Sequence, residues 1–217
     1  MKRTHLMAAL SALVMLGYAG QAGAQTTPLM DGTPHDLVAA GSSNQLCAYC
    51  HTPHGASTTV SAPLWNRTPA TAGTGYTMYS STTLDGTLDA AGVVGVSAAC
   101  LSCHDGTTPT TLNEPNDANI VHVVPTGNAN FGVDLSNDHP ISLTYDSVAD
   151  IGLRARNGGA ETVGAANLPL YQSTPTGLTR VECGSCHNPH VHGTGPTQPF
   201  LRETMDNSSL CANCHLK

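Results

Sequence analysis

The chain has 217 residues, of which 4% are aromatic and 11% charged. So few rings make a poor core for this length, because aromatic side chains supply much of the buried area in ordinary domains. The 15 Asp+Glu outnumber the 8 Lys+Arg, which excludes a nucleic-acid partner that would need a basic face.

In chain order, Lys2 and Arg3 precede an apolar run from Leu6 to Tyr18, followed by the small residues Ala22-Gly23-Ala24. This is the three-part pattern of a secretory signal peptide. The run is short for a bilayer span. Residues 1–24 are therefore expected to be removed, leaving residues 25–217 as one exported domain without a transmembrane segment. Setting aside Lys2 and Arg3 leaves 6 Lys+Arg against 15 Asp+Glu, a formal charge of −9.

All eight cysteines then fall into four copies of one pattern. They are Cys47-Ala48-Tyr49-Cys50-His51, Cys100-Leu101-Ser102-Cys103-His104, Cys183-Gly184-Ser185-Cys186-His187 and Cys211-Ala212-Asn213-Cys214-His215. Two thiols three residues apart can each add to one vinyl group of the same porphyrin. The adjacent His lies under the iron. C-x-x-C-H is accordingly the attachment signature of c-type haem. Disulfides or zinc sites would also use paired cysteines, but neither requires His after each pair. His is 11 of 217 residues, so one accidental match is about a one-in-twenty event, and four of four decide for haem. Four haems c would also supply the apolar mass that the side chains lack. The expected fold is a multihaem cytochrome c of low regular secondary structure. Short helices surround the C-x-x-C-H motifs, a few short strands accompany them, and the haem array is the core.

Each motif is expected on a short helical turn, with Ser43, Ser97 and Asn207 as upstream caps. Ala91 to Val96 and Asn119 to Pro125 read as strands. Asp146 to Arg156 reads as a short helix ended by Asn157-Gly158-Gly159. The gaps between motifs are uneven, and no repeat is evident beyond the motif itself.

The proximal iron ligands are His51, His104, His187 and His215. The distal ligand decides the chemistry, since an open position permits substrate reactions and an axial Met raises the potential. Six further histidines lie beyond the leader and the motifs: His35, His54, His122, His139, His190 and His192. His54 and His190 sit in matched settings, Cys-His-Thr-Pro-His and Cys-His-Asn-Pro-His. Each can point away from its own haem toward a neighbouring iron. His139, in Asn-Asp-His-Pro-Ile, and His35, in Thr-Pro-His-Asp-Leu, complete the expected distal set. His122 lies in an apolar run and is the alternative; His192 is surplus. Met30, Met78 and Met205 are expected to be non-ligands. With two residues after His215, the last haem should draw its distal ligand from upstream. A spare His for every iron argues for electron transfer rather than catalysis, so no enzyme is expected.

The extended contexts carry a resemblance. Cys47 to Gly55, Pro63-Leu64-Trp65-Asn66-Arg67, Cys100 to Thr107, Asp138-His139-Pro140-Ile141-Ser142 and Cys183 to His190 resemble the OmcE-like tetrahaem outer-membrane cytochromes of metal-reducing bacteria. The resemblance implies bis-histidine haems and polymerisation into extracellular filaments that deliver electrons to acceptors such as metal oxides. It also implies a haem ligand donated in trans by a neighbouring subunit, with His54 as the donor. The competing expectation is a soluble periplasmic or surface carrier that does not polymerise.

Overall fold

The computed structural model describes residues 30–38, 45–69, 71, 73–107, 123–172, 177–191 and 200–216. Regular structure is sparse. Helix α1 spans Gly95–His104, and α2 (Cys183–Cys186) and α3 (Ser209–Ala212) are single turns; a 3₁₀ turn covers Leu46–Tyr49. Among the described residues the strands are β1 Leu143–Thr144, β2 Thr162–Val163, β3 Leu168–Pro169, β4 Tyr171–Gln172 and β5 Thr179–Val181. They form an antiparallel three-stranded sheet in the order β1-β5-β4 and a separate β2-β3 pair. The low helix and strand content agrees with the Gly, Thr, Ser and Pro that dominate the sequence.

Two small apolar clusters hold these pieces. One joins Val60, Tyr76, Val93 and Leu135 to Ala98, Ala99 and Leu101 of α1, with Trp65 against its edge. The other joins Tyr145, Val163, Leu168, Leu170 and Leu210 beside the Cys186 and Cys214 side chains. Each cluster thus backs onto haem-attachment motifs.

A buried polar knot ties α1 to α2. The Arg180 guanidinium lies 3.0 Å from Asp89 and 3.2 Å from Glu182, with all three side chains at most 1% exposed. Ser97 donates its hydroxyl to Glu182 and accepts from the Cys183 amide at 2.9 Å. Glu182 caps α2, where its amide donates to Ser185 Oγ at 3.1 Å. Full desolvation makes such a knot costly unless its groups are paired, so it fixes the second motif against the third.

Several sequence expectations need correction. Ser97 lies within α1 rather than capping it, because its hydroxyl is taken by Glu182 and Cys183; Val94 stands at the N-cap. Ala91 to Val96 is no strand: Val93 makes a single bridge to Gly73, and α1 begins at Gly95. Asp146 to Arg156 forms turns rather than a helix. Asp146 Oδ1 accepts from the Val148 and Ala149 amides, and Asp150 Oδ1 from Gly152, which diverts the backbone into local bonds. Asn207 takes a φ of 52° inside a 3₁₀ turn and caps nothing by its side chain. Ser43, residues 119–122 and residues 1–24 lie outside the described residues.

Candidate haem-attachment sites

Each motif folds as one helical turn for a local reason. The His51 amide donates to Cys47 O at 2.9 Å, His187 to Cys183 O at 3.0 Å, and His215 to Cys211 O at 2.9 Å. The second motif occupies the last turn of α1. A turn of this kind brings residues i, i+3 and i+4 to one face, so both thiols and the His of each motif share a side. All eight cysteines are free thiols.

Bracing segments hold three of these turns from outside, and they repeat one design. At the first motif, Thr52 N donates to Leu64 O at 2.8 Å, Trp65 bridges His51, and Asn66 N donates to Cys50 O at 2.8 Å; Asn66 Nδ2 reaches Ala48 O at 3.1 Å. At the third, Asn188 N donates to Phe200 O at 2.7 Å, Leu201 bridges His187, and Arg202 N donates to Cys186 O at 2.9 Å; Arg202 Nε reaches Gly184 O at 2.8 Å. At the fourth, Leu216 N donates to Gly152 O at 2.8 Å, Leu153 bridges His215, and Arg154 N donates to Cys214 O at 2.7 Å; Arg154 Nε reaches Ala212 O at 2.6 Å. An Asn or Arg side chain reads the same carbonyl each time, that of the residue after the first cysteine. The chain therefore does carry a repeat beyond C-x-x-C-H. Residues 47–66 and 183–202 share it at constant spacing, and it makes His54 and His190 equivalent positions. The third copy arrives from upstream of its motif, which hides it from a linear reading.

The histidines are set for ligation by their other nitrogen. The Nδ1 of His51 lies 2.7 Å from Pro63 O, that of His104 2.7 Å from Ala129 O, and that of His139 3.0 Å from Pro140 O. A carbonyl there demands a proton on Nδ1, which leaves Nε2 with a lone pair to offer a metal and fixes the ring. One ring nitrogen of His35 bonds the Pro189 carbonyl, and the ring stacks on Phe200 with centroids 4.3 Å apart. Burial, with His104 nearby, lowers the His35 pKa to about 4. Burial, with His51 nearby, also lowers that of His190. Both shifts favour the neutral ring, the form that binds a metal.

The structure also reports which histidines meet. Ring centroids of His51 and His190 are 6.0 Å apart, those of His104 and His35 6.0 Å, and those of His215 and His139 6.4 Å. His54 is exposed in the turn after the first motif, with its carbonyl accepting from Thr52 Oγ1 at 2.7 Å. His122 and His192 lie outside the described residues. Met78 packs against the first apolar cluster, and Met205 is exposed.

The motifs follow one another in space as in sequence. Cys50 senses Cys103, Cys100 faces Cys183, and Cys186 lies near Cys211 and Cys214. Burial pushes the Cys50 thiol up to about 12 and Cys214 up to about 11. Contact with Cys183, then burial, raises Cys100. At the first and second motifs, paired thiols on one face, an adjacent His locked through Nδ1 and a second His ring opposite make a donor set that fits haem c; the fourth motif shares the facing ring. Among the described residues no helix is long and apolar enough to cross a membrane.

Comparison with known proteins agrees with this geometry at its C-terminal end. No curated protein sequence matches the chain. A family model described as the doubled CXXCH motif matches residues 177–217, which hold the third and fourth motifs. That match points to a multihaem c-type cytochrome, a protein that binds haem covalently and transfers electrons.

Proposed function

We propose that this chain carries electrons through four covalently bound bis-histidine haems and is the subunit of an extracellular cytochrome filament serving acceptors such as metal oxides. The observation that carries the haem reading is the matched geometry at the motifs. Free thiol pairs sit on one helical face, and histidines are locked through Nδ1 at His51 and His104. Bound haem supplies a one-electron iron couple. The protein's own part is to hold each porphyrin by two thiols, orient the ligating rings and tune the iron through them. The histidines that face His51, His104 and His215 favour six-coordinate iron, hence an electron-transfer protein rather than an enzyme.

The filament rests on the resemblance in the extended motif contexts, and two features of this chain support it. His54 is exposed. It is also the repeat equivalent of His190, a residue whose ring faces a proximal His of a different motif. His54 is therefore the candidate for a ligand donated to a neighbouring subunit.

The test uses the secreted protein. A haem assay should return four haems per chain, all low-spin with potentials below zero, and negative-stain microscopy should find regular haem-containing filaments. His54→Ala should abolish the filaments while haem attachment persists. Filaments that survive this change with unaltered spectra would remove His54 from the role. Dispersed particles in the unmodified protein would favour a soluble carrier at the periplasm or cell surface.

A further inference from the structure

Three proximal histidines face a histidine from a distant part of the chain, and the separations are informative. An imidazole binds a metal through a nitrogen at about 2 Å, and its ring centre lies about 1 Å behind that nitrogen. Two rings on opposite sides of one iron therefore have centroids about 6 Å apart. The pairs His51–His190, His104–His35 and His215–His139 stand at 6.0, 6.0 and 6.4 Å. Distance alone does not single these pairs out, since His51–Trp65 and His104–Phe131 stand at 5.8 and 5.7 Å; what sets the three pairs apart is that both rings are imidazoles, each able to offer a nitrogen to one iron.

We infer the axial pairing of three haems from these imidazole pairs, on the bis-histidine reading above. The haem attached at Cys47 and Cys50 lies between His51 and His190. The haem at Cys100 and Cys103 lies between His104 and His35. The haem at Cys211 and Cys214 lies between His215 and His139. Every one of these distal ligands crosses the sequence. His190 follows the third motif yet serves the first, His35 precedes the first motif yet serves the second, and His139 precedes the third yet serves the fourth. The ligand shells thus stitch together segments that the backbone alone leaves apart. Phe200 is a positioning residue in this scheme. It belongs to the brace of the third motif and holds the His35 ring flat against itself, with ring planes 17° apart.

The pairing has a spectroscopic signature, because the angle between axial ring planes sets the anisotropy of a low-spin ferric haem. The planes of His51 and His190 lie 25° apart, near parallel. Those of His104 and His35 lie 68° apart, and those of His215 and His139 71°, near perpendicular. Near-parallel rings give an ordinary rhombic signal, and near-perpendicular rings give a strongly anisotropic one.

The experiment is electron paramagnetic resonance on the loaded full chain and its single variants. His190→Ala should convert one rhombic low-spin haem to high-spin. His35→Ala and His139→Ala should each convert one strongly anisotropic haem instead. A second arm locates the first of these. In a chain carrying Cys47→Ser and Cys50→Ser, and so lacking that haem, His190→Ala should create no new high-spin signal. A new high-spin signal there would overturn the assignment, as would loss of an anisotropic signal in the His190→Ala chain. Should the double-serine chain fail to accumulate, a reconstruction of the loaded wild type reads the ring opposite His51 directly, and any residue but His190 refutes the pairing. High-spin haem already present in the unmodified protein would instead refute the bis-histidine reading beneath it.

Discussion

At the scale of single residues, the most constrained group outside the haem motifs is Glu182. It accepts from Ser97, faces Arg180 and caps the turn that bears the third motif. Removing one partner of a buried ion pair strands the other, so Glu182→Ala should cost about 3–5 kcal/mol, measured by chemical denaturation of the loaded protein. The same residue has a pH signature. Burial raises its pKa, outweighing Ser97 and Arg180, which act in the opposite sense. A carboxyl raised in the folded state contributes stability that is complete below its unfolded pKa and is lost as pH rises through the folded one. As pH rises above the ordinary carboxylate range, about 4 for a free Glu, the wild type should therefore lose stability relative to Glu182→Gln, a slope that parallel urea titrations would read. Equal slopes would mean that Arg180 fully offsets the desolvation.

At the scale of elements, the braces explain how turns of a single helical repeat keep their shape. Arg202 Nε donates to Gly184 O at 2.8 Å and to His187 O at 3.2 Å. Arg202→Ala should cost about 1–2 kcal/mol in unfolding free energy. Arg202→Lys should recover little, because an ammonium lacks the planar fork. The braces also contain residues under backbone strain, and burial decides what relief is worth. Leu64 has φ 53° and is 54% exposed, so Leu64→Gly removes strain while giving up little packing. A gain of about 1 kcal/mol is expected in thermal or chemical melts. Phe200, at φ 65°, is 7% exposed and stacks on His35, so Phe200→Gly should destabilise despite the same relief. The helical turns of the motifs were legible in the sequence because their geometry is local, set by residues three and four apart. The braces were not. Asn66 performs at the first motif what Arg154 and Arg202 perform at the others, and Gly152-Leu153-Arg154 lies upstream of the motif it holds. Those bonds join residues 18 to 58 positions apart. The segment read as a helix from Asp146 is the same one that tertiary pairing drew into the brace of the fourth motif.

At the scale of the whole molecule, the distal histidines divide by how far the sequence could take them. Matched Pro-His settings marked His54 and His190 as candidate ligands, but which ring His190 meets is a long-range fact, the 6.0 Å approach to His51. The low aromatic content predicted a chain short of core, and the two apolar clusters are accordingly small and lie behind the motifs. A fold of this kind should depend on its cofactors unequally. Cys103 acts electrostatically on Cys50, Cys100 hydrogen-bonds Cys183, and Cys211 acts electrostatically on Cys186. The second motif thus has neighbours on both sides. It also sits on α1, whose Ala98, Ala99 and Leu101 belong to one apolar cluster and whose Ser97 joins the knot around Glu182. The fourth motif borders the third alone in this row. Losing the haem at Cys100 and Cys103 should therefore loosen more of the protein than losing the one at Cys211 and Cys214. With paired Cys→Ser changes at each site, protease resistance should fall further for the second motif than for the fourth. Electron exchange between the remaining haems should slow sharply when the second is missing and little when the fourth is, since the first gap divides the row while the other shortens it. The reverse order in both measurements would mean that the haems do not follow the order of their thiols.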